Sequence, residues 1–410
     1  MSRILITTFG TAGDLNPFVA LALGLKSRGH DVTFAVEDNF RSTLIDAGFD
    51  SMHHLSEGID PTSLVSQRQL YGSSLPFRSV WAMVSRYIVP ALTEQVEHLR
   101  TAAAGMDLII APPEEFAASI VSELTGIPWV SVRLSPVSVP SAHVSPYPWP
   151  VRLPDPLQQV ANVLQWKAGT AALRLMADRP INAIRARYGL PPRRNLLTTG
   201  NLSPYLATIA VSPAFMPVQP DWPSHLGVTG FCFWDTPSAW SPSPELPSFL
   251  DGSKPVVAVS SGSISRQAGT AFDRFYKVSI EAIRRVGGRA LVIGAPPDSV
   301  PSSLPDDVLA LPFAPFSAIY PRCAAAIHHG GIGTAAQVVH SGTGRWMSRR
   351  TYTTRRAATA LATLLQSDST YLHRARTLAA RITEEDGVMD LCGEIDDLLR
   401  ATEMSGGQAA

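Results

Sequence analysis

The sequence predicts an α/β protein built from two doubly wound, parallel-sheet halves of similar size. Three observations predict it. At 410 residues the chain is too long for one ordinary core. Its first fifty residues alternate strand and helix patterns in the βαβ order of a parallel sheet. The same alternation restarts at Pro255, after a stretch crowded with proline and tryptophan.

The elements follow in order. RILITTF reads as a buried strand, GTAGDLN as a turn, PFVALALGLKSRG as a helix closed by Gly29, and DVTFAVE as a second strand. FRSTLIDAG then FDSMHHL repeats the unit. MDLIIA and PWVSVRL are later strands of this sheet, with EFAASIVSELTG as the helix between them. Residues 135–157 are too rich in proline for a helix or a central strand. INAIRARYGL is helical. From Pro213 to Pro255 stand nine prolines, with Trp222, Trp234 and Trp240 among them. Aromatics are wasted in a free linker, so this reads as an interdomain connection packed against something. PVVAVSSGS, RALVIGA, DVLALPF and CAAAIHHGG are the strands of the second half, with AFDRFYKVSIEAIRRVGG as an amphipathic helix. The expected units are an N-terminal domain over 1–230, a linker over 231–254 and a C-terminal domain over 255–410.

Composition removes several classes. The 34 basic residues balance 34 acidic ones, so bulk charge gives no reason to expect nucleic acid as a partner. Cys232, Cys323 and Cys392 lie far apart, without the spacing of a disulfide framework or a zinc site. No apolar run is long enough to span a bilayer, and MSRILITTFG is not followed by a signal-peptide core. The chain reads as cytoplasmic.

The segment most loaded with chemistry is HHGGIGT, residues 328–334. Behind an apolar strand and ahead of a helix, Gly330, Gly331 and Gly333 let the backbone approach an anion, and Thr334 adds a hydroxyl. A histidine there can donate to phosphate oxygens. The spacing is neither the dinucleotide fingerprint nor a P-loop. By motif chemistry alone, a tight strand-to-helix turn around a core histidine remains the other reading.

HHGGIGT in the second half, paired with GTAGDLNPF at the start of the first, resembles the nucleotide-sugar-dependent glycosyltransferases of the GT-B fold. Within them the chain is similar to family 1 and its antibiotic, sterol and rhamnolipid branches. INAIRARYGL and VSPAFMPVQPDWPSHLGVTGFCFWD are similar to the rhamnosyltransferases that build rhamnolipids. The resemblance runs from about Arg3 to about Ala380. It implies two Rossmann-like domains facing each other across a cleft. It also implies inverting transfer of a hexose or deoxyhexose from a UDP- or dTDP-sugar to a hydroxyl of an apolar small molecule, such as a lipid, polyketide or sterol-like compound. The nucleotide sugar is then a co-substrate, with no resident cofactor and no metal expected. A non-catalytic nucleotide-binding partner protein and a GT-B sugar-nucleotide epimerase are the competing expectations.

Residue by residue, the resemblance assigns His328 to the donor diphosphate and Gly330, Gly331, Gly333 and Thr334 to the phosphate turn. It adds Ser263 as a further phosphate contact and places Phe313, Ala314 and Pro315 at the nucleotide base, while His329 reads as packing. Plant members carry a basic histidine in the first loop. Met1 to Arg28 contains none, but Asp14 stands where the antibiotic and sterol branches have aspartate, and it is the expected catalytic base. Its alternative is a helix cap. Asn16 as cap and Pro17 as first helical residue would leave the Asp14 carboxylate unassigned. Glu114 and Glu115 either orient the acceptor or are solvated at the surface, the second being the default. His53 and His54 read as packing. Residues 71–90 and 135–170 are expected to wall the acceptor pocket, with ordinary loop packing as the other reading. Family members also carry a strand, an Asp-Gln loop for the sugar hydroxyls and a helix where Thr343 here joins Gly344 directly. Losing that segment would remove a central element of the second sheet, so the expectation favours an omitted segment over a true deletion.

Overall fold

The computed structural model describes residues 1–56, 76–146, 153–235, 240–262, 272–296, 299–300, 303–340, 352–366 and 368–406. Two parallel sheets form. The first has the order β3-β2-β1-β4-β5-β6-β7, with β1 (Arg3–Thr8), β2 (Asp31–Val36), β3 (Met52–His54), β4 (Leu108–Ala111), β5 (Trp129–Arg133), β6 (Leu206–Ile209) and β7 (Leu226–Val228). The second has the order β10-β9-β8-β11, with β8 (Val256–Ser260), β9 (Arg289–Ile293), β10 (Val308–Leu311) and β11 (Ala325–His328). β4, β5 and β8 are buried along their whole length, as strands covered by helices on both faces must be.

The first unit carries α1 (Ala12–Ser27), α2 (Arg41–Asp46), α3 (Pro76–Met83), α4 (Val89–Ala102), α5 (Phe116–Thr125) and α6 (Asp155–Arg187). A π turn at Val84–Ile88 joins α3 to α4. The connection contains α7 (Glu245–Leu250), and α8 (Asp273–Arg285), α9 (Phe316–Ile319), α10 (Ile332–His340), α11 (Thr354–Leu364), α12 (Thr370–Thr383) and α13 (Gly387–Gly406) follow. The helical reading of INAIRARYGL is the end of the 33-residue α6. The tryptophans of the connection are packed. Trp234 lies against the first sheet's core and Trp240 against the second's. Among the described residues, no helix is long and apolar enough to cross a membrane.

The end of the chain does not stay with the second sheet, where the sequence pattern places all of 255–410. α13 buries Leu391, Cys392, Ile395 and Leu399 in the same core as Leu15, Phe18 and Leu25 of α1. At roughly 1.5–3 kcal/mol per fully buried large apolar side chain, this contact is a substantial stabilising term. Asp396 adds an ion pair to Arg28 at 2.5 Å and a hydrogen-bonded pair with His30 at 2.7 Å. The return passes over the connection: Glu385 accepts from Ser212 Oγ at 2.9 Å. Next to it, the backbones of Gly230 and Gly387 meet so closely that a Cβ on Gly230 would stand 2.7 Å from the Gly387 Cα.

β11 pairs with β8 alone among the described residues, which makes it an edge strand. Three of its four residues are half-exposed, an unusual state for a strand of a parallel sheet. The Thr343–Gly344 junction lies outside the described residues. Among the described residues the second sheet has four strands.

Candidate active site

In a doubly wound sheet, ligands bind beyond the carboxyl ends of the strands where strand order reverses. The two orders put those points between β1 and β4 in the first unit and between β8 and β11 in the second. Most of the candidate residues fall at one or the other.

At the first point, β1 runs into Thr11, which caps α1. Asp14 occupies the third helical position of a capping box, its Oδ2 accepting from Thr11 N at 2.8 Å and from Thr11 Oγ1 at 3.0 Å. The expectation that Asn16 caps the helix is therefore corrected. The helix starts a turn earlier, and Pro17 lies inside it, where it has no N–H to offer the carbonyl four residues back. Asp14 thus does cap. The reciprocal pair uses one carboxylate oxygen, and Oδ1 makes no hydrogen bond among the described residues. Burial raises the Asp14 carboxyl above its ordinary range, the Thr11 bonds oppose this, and the Glu114 charge adds to it.

Glu114 and Glu115 stand in the turn between β4 and α5, and neither is a solvated surface group. The Glu114 Oε1 accepts from Arg133 Nη1 at 2.5 Å, and the Arg133 side chain is only 2% exposed. Arg133 also donates to Ser138 Oγ and, at 2.7 Å, to the Thr198 carbonyl. Glu115 is 1% exposed and caps α5 by accepting from Ala117 N. Its other oxygen is buried with no hydrogen-bond partner among the described residues. Glu37, at the end of β2, is 3% exposed. Burial first, and then the charge of Glu37, pushes Glu115 up to about 8, while burial lifts Glu37 to about 7. Neither Glu37 nor Arg133 is among the residues that the sequence motifs single out. A lone arginine closing the apolar run PWVSVRL is the available signal for the second.

A cavity of about 490 Å³ opens beside these groups, lined by Phe9, Glu37, Met83, Ile88, Glu114 and Glu115 among others. Its wall includes the 83–90 part of the segment expected to face the acceptor. No described residue of 135–170 lines this cavity. His53 is exposed, and His54 is half-buried against Asp38.

Both raised carboxyls hold their protons to higher pH in the fold than in the unfolded chain. Between the ordinary carboxyl value of 4.5 and about 8, unfolding therefore releases protons, and stability falls as pH rises. Glu115→Gln keeps a capping oxygen and removes the titration. It is expected to melt above wild type at pH 8 and close to it at pH 4. The gain at pH 8 is a few kcal/mol, because each tenfold change in proton affinity is worth about 1.4 kcal/mol. Thermal melts of equal pH slope would remove Glu115 from this account.

At the second point, His328 ends β11 directly opposite Ser260 of β8. Its Nδ1 accepts from Gly330 N at 3.2 Å. An amide can only donate, so the ring carries its proton on Nε2 and is neutral. Burial and the neighbouring His329 lower its pKa to about 4, in agreement. A neutral N–H donor thus stands at the mouth of the turn. Gly330 takes φ +99°, which a side chain would resist. His329 is wedged between the turns: a Cβ on Gly262 would stand 2.5 Å from its ring, and one on Gly331 would collide with it. His329 is therefore a spacer, as its packing role implies. Space is open at Gly333, in the first turn of α10, where backbone N–H groups lack intrahelical partners. Thr334 is buried beneath. Ser263 lies outside the described residues.

Phe313, Ala314 and Pro315 follow β10, three strands from β11, or roughly 14 Å across the sheet at the usual strand spacing. Phe313 is 41% exposed and free to stack, Ala314 is buried, and Pro315 starts α9. The aromatic and the His328 turn thus sit at opposite ends of one sheet edge.

Comparison with known proteins bears on this arrangement. Residues 4–144 match the Glycosyltransferase family 28 N-terminal domain. The chain is 31% identical over 356 residues to the O-mycaminosyltylonolide 6-deoxyallosyltransferase of Streptomyces fradiae, with 83% of this chain and 78% of that protein covered. The solved structure of a spinosyn forosaminyltransferase superposes with a TM-score of 0.69 at 16% identity, covering 97% of this chain and 99% of that one. A spinosyn rhamnosyltransferase complexed with thymidine diphosphate does so with a TM-score of 0.65 at 17% identity, covering 96% and 100%. The structures show the fold, two Rossmann-like domains of the GT-B type. The sequence relative, alike across most of both chains, carries the rest of the inference: the chain belongs to the GT-B nucleotide-sugar-dependent glycosyltransferases, and it is an enzyme of that class.

Proposed function

We propose that the protein transfers a hexose or deoxyhexose, with inversion, from a UDP- or dTDP-sugar to a hydroxyl of an apolar small molecule. The observation that carries the reading is the division of chemistry between the two switch points. Carboxylates and a cavity stand at the first, and a neutral imidazole N–H with a helix N-terminus stands at the second. The Asp14 carboxylate takes the acceptor hydroxyl proton. The acceptor oxygen then bonds to the anomeric carbon as the bond from that carbon to the diphosphate oxygen breaks, through an oxocarbenium-like state. His328 Nε2–H, the turn at Gly330, Gly331 and Gly333, Thr334 and Ser263 receive the leaving negative charge. Phe313, Ala314 and Pro315 hold the base.

Support for Asp14 comes from its clamp: Thr11 fixes one oxygen and leaves the other uncommitted, while burial strengthens it as a base. The thymidine diphosphate bound to one structural neighbour and the deoxysugar in the relative's name support a dTDP-linked deoxyhexose. Phe9, Met83, Ile88 and Phe116 in the cavity wall support an apolar acceptor. The cysteines Cys232, Cys323 and Cys392 are unpaired, which supports a reducing, cytoplasmic setting.

His328→Ala tests the donor half. It is expected to weaken UDP or dTDP binding by about 1.5–3 kcal/mol, the usual worth of a hydrogen bond to a charged group. Calorimetry showing unchanged affinity in a protein that melts earlier would instead assign His328 to the core.

A further inference from the structure

The half-buried His54 ends β3, while Glu94 and His98 lie one turn apart on a single face of α4. Strand end and helix converge: one ligand atom from each of these three residues lies within 4.8 Å of the other two. Among the described residues it is the one such grouping of His, Cys, Asp and Glu. The imidazoles meet edge-on with centroids 5.4 Å apart.

One nitrogen of each ring is already held. His98 Nδ1 lies 2.9 Å from the Leu55 carbonyl oxygen, and His54 Nδ1 lies 3.1 Å from Asp38 Oδ1. A carbonyl only accepts, so His98 carries a proton on Nδ1, and Nε2 is the nitrogen left to bind an ion. The Asp38 carboxylate acts on His54 in the same sense. A carbonyl and a carboxylate behind the ring are the partners that orient metal-ligating histidines. Ordinary surface packing accounts for either histidine singly. It does not account for two oriented imidazoles and a carboxylate turned toward one point.

We propose that His54, Glu94 and His98 form a binding site for a divalent transition-metal ion of the zinc type. Two nitrogens and one oxygen match that ion's preferences, with a further position left to water or ligand. Magnesium and calcium prefer all-oxygen sets and fit poorly. The proposal runs against the expectation of no metal drawn from the family resemblance. Glu94 also lines the 490 Å³ cavity, so the ion stands at its wall, away from the phosphate turn.

The test is calorimetric titration of untagged, chelator-stripped full-length protein with Zn²⁺. One equivalent is expected to bind. Asp38→Asn, which touches no metal, should weaken binding on the order of 10–100-fold by loosening His54. Glu94→Gln, at an exposed position, and His98→Gln should weaken it at least as much, with melting temperatures showing that each variant folds. Absence of saturable binding to the wild-type chain, or wild-type affinity in both Glu94→Gln and His98→Gln, overturns the proposal.

Discussion

Asp14→Asn is expected to lower turnover by about 10²–10⁴-fold, the usual contribution of a positioned base, while donor affinity stays near wild type. Because Asp14 also closes the capping box of α1, the variant alone leaves two explanations, and Thr11→Ala separates them. That change removes the side chain that caps α1 and one of the two bonds to Asp14 Oδ2, but it leaves the carboxylate in place. Losing a cap costs about 0.5–2 kcal/mol of stability. Thr11→Ala should therefore melt earlier and retain most of its turnover. If both variants lose activity in proportion to their loss of stability, Asp14 is a structural residue and the base lies elsewhere at the same switch point.

Glu114→Ala is expected to cost about 3–5 kcal/mol, a large share of the roughly 5–15 kcal/mol that holds a typical fold. The reason lies with its partner. Glu114 is one-third exposed and could rehydrate on its own, but Arg133 is 2% exposed and could not. Removing the carboxylate leaves a buried guanidinium with only Ser138 Oγ and the Thr198 carbonyl, and its Nε already lacks a partner among the described residues. Adding Arg133→Met removes that uncompensated charge, so the double variant should recover most of the loss. Denaturant titrations of the two singles and the double measure this directly. A Glu114→Ala loss below about 1 kcal/mol would mean that Arg133 finds water after all.

The parts of the molecule that are legible in the sequence are those written in contiguous residues. The strand-turn-helix of HHGGIGT shows because strand, glycines and helix follow one another, and the tautomer of His328 is set by an amide two residues away. β1, α1 and β2 show for the same reason, through unbroken apolar runs and a closing Gly29. The start of α1 misleads because Asn16-Pro17 is a strong local start signal. Thr11-Ala12-Gly13-Asp14 carries the capping-box spacing and prevails, since its two bonds are reciprocal. α6 shows only at its end because Leu157, Val160, Leu164 and Leu175 are exposed and blur the apolar periodicity. The carboxylates are another matter. Glu37 and Glu115 come from two separate strand ends, and each alone reads as a polar turn residue. Their raised pKa values arise only when the fold places both in one dry corner. His54 and His98 are likewise 44 residues apart in sequence and edge-on in space.

The meeting of Gly230 and Gly387 has a mechanical meaning. The chain passes between the two units twice, once on the way out and once on the return, and at Gly230 and Gly387 the two passages lie backbone against backbone. That contact is one fastening among several: Ile332, Ala336 and Ile382 pack into the core of Ala207, Ile209 and Leu226, and sliding must also shear the return helix from α1 or tear Asp396 from Arg28. A side chain on Gly230, already at φ +126°, would act as a wedge between the two passages, forcing the start of the return helix away from the connection.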